Sequence, residues 1–160
     1  MLQAYFESIK YVGHLLPISL LRIFVGYFYL QQALADWKMR ILSNSNVSDL
    51  IIDALSSDKM PYWYRIFLSE HVIPHWNVYA FILVGLQLAV GLSYLIGYVV
   101  RPASIIGLFL CLNYIAIGSS QQELFFRMMI ACQVTFMWVG AGRCLGLDYF
   151  FYKRYRGIWW

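Results

Sequence analysis

"VYAFILVGLQLAVGLSYLIGYVV", residues 78–100, runs from Val78 to Val100 without one charged side chain. About 20 consecutive apolar residues are enough to cross the hydrocarbon core of a bilayer as a helix. No water is available there, so each backbone N–H needs a carbonyl within its own segment, and the stretch must be helical. The pattern recurs along the chain. "LLPISLLRIFVGYFYLQQALA", residues 15–35, is a second such run, and 102–118 and 124–140 are shorter ones. The two short runs would tilt little or thin the bilayer locally.

The 160 residues are 61% hydrophobic and only 12% charged, with a mean hydropathy of +0.61. A soluble domain carries roughly twice that charge. The expected fold is therefore all-α, a single polytopic membrane domain over residues 1–160 built as a four-transmembrane-helix bundle. The net charge of +4 is small and dispersed. It suits lipid phosphates and not nucleic acid. The opening "MLQAYFESIKYVG" has no short basic stretch, and no small-residue cleavage site follows the first run. That run is expected to be an uncleaved anchor. Cys111, Cys132 and Cys144 form no C-x-x-C pair. They read as inert thiols.

Arg101-Pro102 separates the second and third runs, and "SSQQE", 119–123, separates the third and fourth. Such tight turns make the last three spans adjacent antiparallel helices. The connection 36–77 is long and holds most of the acids. In it, "VSDLIIDAL" (47–55) places Val47, Leu50, Ile51, Ala54 and Leu55 on one helical face, a short amphipathic helix on the membrane surface. The aromatic "MPYWYRIFLSEHVIPHW" that follows suits the interface. Four spans put both termini on one side. The basic tail "YKRYRGIWW" assigns that side to the cytoplasm of a bacterial inner membrane, with 36–77 periplasmic and 141–160 an interfacial tail.

Arg22 lies about 10 Å along its helix from Leu15 at 1.5 Å per residue. A charge inside a span is costly and usually has a role. Either it snorkels or braces the bundle, or it contacts a ligand. In this topology Arg22, Arg101 and Arg143 all approach the cytoplasmic face, with Asp148 the nearest acid. That layer either binds a lipid headgroup, an anion or a quinone carbonyl, or forms a structural cluster. A structural Arg143–Asp148 ion pair is the favoured expectation. Gln87 and Asn113 are amides in apolar helices, which bond between helices or donate to a quinone carbonyl. His71 and His75 are four apart, but Pro74 interrupts them, and no metal site is expected. There is no paired-carboxylate site, nucleophile triad or phosphate loop. No catalytic residue is assigned, and the isolated chain is not expected to be an enzyme. In "GAGRCLGLD" (140–148), Gly142 and Gly146 are four apart and allow close packing.

Taken in order, these features resemble the DoxX family, and within it the DoxD-like branch named for the small subunit of thiosulfate:quinone oxidoreductase. The resemblance runs from about Leu20 to Asp148. It rests on "LLRIFVGYFYL" with Arg22 and Gly26, on "PYWYRIFLSEHVIPH", and on "LVGLQLAVGLSYLIGYVVRPAS" with Gly85, Gly91, Gly97 and Arg101. "LNY" at 112–114 follows, then "GAGRCLGLD" with Gly142, Arg143, Gly146, Leu147 and Asp148. It implies a four-helix membrane fold within a redox complex, the named glycines packing helices. Two departures stand out. The family's span-two glutamate is Gln87 here, and the glycine and lysine that close span one fall on Ala33 and Asp36. Losing the intramembrane carboxylate argues against proton-coupled quinone chemistry. The expectation is an accessory or anchoring subunit of a larger redox or electron-transfer complex, with lipids and other membrane subunits as partners. The alternative is a quinone-linked oxidoreductase subunit. Quinone, its cofactor, would lie near Arg22, Gln87 and Asn113, with Arg101 and Arg143 as further quinone or lipid-headgroup contacts.

Overall fold

The computed structural model describes residues 15–38, 55, 60–117 and 120–149. The amphipathic segment 47–55, apart from Leu55, and the tail beyond Tyr149 lie outside the described residues. Every described element is helical. Helix α1 spans Leu16–Asp36, with Pro17 in its first turn, where a missing N–H costs no helical bond. Helix α2, Tyr62–Phe67, starts after Pro61 and widens into a π turn at Leu68–Val72. Helices α3 (Trp76–Ile96), α4 (Val100–Ile117) and α5 (Ser120–Val139) follow, then a 3-10 turn, Ala141–Arg143, ahead of the last described residues, 144–149.

Three of these helices, α1, α3 and α4, are long and apolar enough to cross a membrane. Helix α5 is as long, at 20 residues. Its first two turns hold Gln121, Gln122, Glu123 and Arg127, which make it less apolar. The polar stretch read as a turn before the fourth run is largely the first turn of α5. Glu123 and Arg127 pair there across one turn.

The contacts fix the directions of the helices. Gly26 of α1 lies against Gly91 and Tyr94 of α3, whereas Asp36, ten residues on, bonds Gln87. Helices α1 and α3 are therefore antiparallel. Likewise Gly107 of α4 faces Gln133 of α5, and Tyr114 stacks on Phe126. The bundle runs up-down-up-down, with α1 packed chiefly on α3 and α4 on α5. Lipid tails are as apolar as the side chains, so burial alone does not drive helices together there. Close contact and interhelical hydrogen bonds do. A methyl on Gly26 would sit 2.9 Å from Tyr94 Cβ, and one on Gly91 would sit 3.0 Å from Leu30. At Gly85 an added methyl would meet nothing within 4 Å.

Val25, Tyr29, Val90, Tyr94, Leu110 and Phe136 form the core. Phe24, Phe81, Phe109 and Trp138 point outward, Trp138 being 83% exposed. The break between α3 and α4 falls earlier than Arg101-Pro102. Gly97 adopts a left-handed conformation (φ +70°) and ends α3. Arg101 and Pro102 then belong to the first turn of α4, where proline is tolerated.

Candidate functional site

Three polar layers cross the bundle. The first is a clasp at the end where α3 turns into α4. The N–H groups of Gly97 and Tyr98 both donate to Ser93 O, at 2.8 and 3.1 Å. This left-handed glycine closure satisfies a terminal carbonyl of the helix. The next helix starts with free N–H groups, and Asp148 supplies the acceptor. Its carboxylate accepts from Val99 N–H at 2.7 Å and Val100 N–H at 3.2 Å. In return Asp148 N–H donates to Gly97 O at 3.0 Å. An acid at a helix N-terminus is favourable. Burial nevertheless pushes the Asp148 carboxyl above the ordinary carboxylate range, against the pull of those two N–H groups and of Arg22 and Arg101.

Arg22 locks the clasp from α1. It is fully buried. Its Nη1 donates to Ala141 O at 2.7 Å and Cys144 O at 3.5 Å, and its Nη2 to Leu145 O at 3.0 Å. Ser19, one turn earlier, donates to the Ala141 and Cys144 carbonyls at 3.3 and 3.0 Å. The glycines make room. A methyl on Gly142 would lie 2.0 Å from Asp148 Oδ2, and one on Gly146 would lie 2.2 Å from Gly142 O and 3.0 Å from Arg22 Nη1. Gly140 is left-handed, and a methyl there would lie 3.2 Å from Arg101 Nη2 and 3.5 Å from Arg143 Nε. Arg22, Arg101, Arg143 and Asp148 thus share one end of the bundle. The carboxylate contacts resolved for Asp148 go to the start of α4.

The second layer sits mid-bundle and joins all four long helices. Gln133 Nε2 donates to Tyr29 OH at 3.0 Å, and Tyr94 OH donates to Gln133 Oε1. Tyr29 OH bonds Gly107 O at 3.1 Å and lies 3.2 Å from Cys111 Sγ. Ser104, 3.0 Å from Tyr94 OH, passes the chain on to Val100 O. Every member is buried, and the layer reads as interhelical glue.

The third layer lies at the opposite end from the clasp. Gln87 Nε2 donates to Asp36 Oδ2 at 2.9 Å and also to Tyr114 OH, which itself donates to Asp36 Oδ2 at 2.9 Å. Gln87 is fully buried and Asp36 nearly so. Gln87 Oε1 is a buried acceptor with no partner among the described residues. The carboxylate of this layer comes from α1. Beside this layer, α2 and its π turn cover α3 and α4. Tyr64 OH donates to Asn113 Oδ1 at 2.6 Å, and Asn113 Nδ2 donates to Phe109 O at 2.7 Å. Beneath the cover is a cavity of about 290 Å³ with almost wholly apolar walls. Asn113 and Tyr114 line it, and Gln87 stands behind Tyr114.

Of the five candidate contact residues, Arg22, Arg101 and Arg143 gather at the clasp, whereas Asn113 lines the cavity about 18 Å from Arg101 along α4, and Gln87 stands behind Tyr114. No single site unites them. Among the described residues no group of three His, Cys, Asp or Glu is placed to hold a metal ion. Asp36, Tyr114, Tyr29 and Tyr94 carry much of the polar structure, and sequence reading assigned none of them a site role. The polarity of Asp36 inside a run that ends there was the available signal. Comparison of the chain with family models, with curated proteins and with solved structures finds no match.

Proposed function

We propose that this chain is a DoxX-like accessory or anchoring subunit of a larger redox or electron-transfer complex in a bacterial inner membrane. In this reading α5 is the fourth span, 36–77 faces the periplasm and both termini are cytoplasmic. The observation that carries it is the state of Arg22. A redox or ligand role would call on this intramembrane charge. Its guanidinium is instead spent on the carbonyls of Ala141, Cys144 and Leu145, where it holds the fold together. The outward Phe24, Phe81, Phe109 and Trp138 offer apolar surface to lipid or to neighbouring helices. Purification from native membrane in mild detergent, followed by mass spectrometry of bound proteins, tests the reading. A larger complex is the expected result. A chain recovered alone and monomeric would overturn it.

One observation favours a second reading, a quinone-linked oxidoreductase subunit of the thiosulfate:quinone type. Gln87 and Tyr114 both bond the Asp36 carboxylate, and Tyr114 lines the cavity together with Asn113. In that reading Asp36 replaces the missing glutamate, and Arg22 has no part in the chemistry. Bound quinone in solvent extracts of the purified complex is the expected result, and its absence would count against this reading.

A further inference from the structure

The cavity under α2 has a shape as well as a volume. Its walls run along α3 from Trp76 to Leu86, ten residues or about 15 Å of helix, and along α4 from Ile117 back to Phe109. The cavity volume is about 290 Å³. A site of about 150 Å³ holds one benzene, so the slot has room for roughly a dozen carbon atoms.

The way in is lateral. Phe67, Ile82 and Phe109 line the cavity and are also exposed. They belong to the outer faces of α2, α3 and α4, and the mouth opens between them on the lipid side of the bundle. Water gains little inside, because a buried water needs two to four polar partners and the deep walls, Leu83, Leu86 and Leu110, offer none. Asn113, midway along the α4 wall, gives one amide hydrogen to Phe109 O.

The geometry points to a site for one acyl chain of a membrane phospholipid, inserted laterally between α3 and α4 beneath α2. This goes beyond the anchoring role and holds whether or not the chain has partner subunits. The site is adaptable because its cover is light. Helix α2 has six residues, and Tyr64–Asn113 is the side-chain hydrogen bond resolved between it and the bundle.

The test uses the full chain in phosphatidylethanolamine–phosphatidylglycerol vesicles. These are doped with a phosphatidylcholine that carries a diazirine near the end of one acyl chain. After irradiation, mass spectrometry maps the adducts. The expected result is labelling at the inward Leu83, Leu86 or Leu110. Filling the slot with Leu83→Trp lowers that labelling by about tenfold, since added volume in a filled space is poorly tolerated. Labelling at the outward Phe24 and Trp138 is unchanged. Ala80→Leu, a smaller intrusion, repeats the measurement if the tryptophan variant fails to fold. Adducts confined to outward side chains would overturn the assignment, as would inward labelling that neither variant reduces. Displacement of the acyl probe by an isoprenoid-tailed quinone at equal concentration would also overturn it and give the slot to the quinone reading.

Discussion

The two ends of the bundle spend their polar groups differently. At the clasp, Arg22, Ser19 and Asp148 all bond to backbone, and the glycines bring that backbone within reach. At the far end, Asp36, Gln87 and Tyr114 bond to one another through their side chains, close to a cavity. A backbone carbonyl held by its own turn cannot rotate to find another partner. A side-chain oxygen can. The clasp therefore specifies one arrangement of four segments, whereas the far end tolerates change. The division lets the fixed end hold the helices in register while the other end stays adaptable.

The sharpest way to break the contrast is to remove the cation of the clasp. Arg22→Met keeps an unbranched apolar side chain but removes the guanidinium from the carbonyls of Ala141, Cys144 and Leu145, of which Ser19 still reaches the first two. Hydrogen bonds to charged groups contribute about 1.5–3 kcal/mol each, and orphaned buried acceptors add to the loss. The expected cost is about 3–5 kcal/mol, of the order seen when one partner of a buried charged pair is removed. Thermal unfolding in detergent should show a large drop in midpoint or no folded protein. Gln87→Leu at the other end should cost much less. Equal effects would show that the two ends are not different in kind.

A pair of glycines grades the comparison. In Gly146→Ala the new methyl meets Gly142 O at 2.2 Å, and that atom is backbone. Overpacking of this sort costs about 1–3 kcal/mol. In Gly85→Ala the methyl meets nothing within 4 Å, and alanine favours the helix by up to about 1 kcal/mol. Side by side in the same detergent, the first variant should melt lower than the native chain, and the second at or above it. Both glycines stand in segments that resemble family motifs, so the sequence treats them alike. Only the packing separates them.

The shared end of Arg22, Arg101, Arg143 and Asp148 was legible from the order of the spans, and the close packing at Gly142 and Gly146 from their spacing. Their partners were not legible. Arg22 and Asp148 bond mostly to backbone, which carries no residue-specific signature. The pairing of Asp148 with the start of α4 depends on a left-handed turn at Gly97 that no neighbouring residue announces. Tyr29, Tyr94 and Tyr114 were hidden for another reason. In a chain with 13 tyrosines, nothing separates those that bond across helices from those that face lipid. Asp36 was masked by its place. A polar residue at the end of a span looks like the membrane exit, and only the antiparallel pairing with α3 shows that it folds back onto Gln87. The helix type and most boundaries were readable from length and hydropathy. The cavity was not, because it depends on how α2 settles over α3 and α4.

The smallest effect comes from the cover itself. Tyr64→Phe removes the hydroxyl that donates to Asn113 Oδ1 at 2.6 Å and leaves the ring that packs against Phe67. One neutral hydrogen bond is worth about 0.5–1.5 kcal/mol. Global stability should hardly move, since the clasp and the central layer are untouched. The local equilibrium should move. A loss of about 1 kcal/mol raises the open population of α2 roughly fivefold, and amide exchange over Tyr64–Val72 should quicken by that factor. Exchange in Val25–Tyr29 and Val90–Tyr94 should stay as it was. The same opening would give an acyl chain easier passage between Phe67, Ile82 and Phe109. Inward photolabelling in the Tyr64→Phe variant should then reach its plateau sooner without rising higher. A higher plateau would mean that Tyr64 shapes the slot and is more than its latch. Unchanged exchange over Tyr64–Val72 would mean that other contacts, the apolar packing of Leu68 and Val72 among them, hold the cover without the Tyr64 hydroxyl.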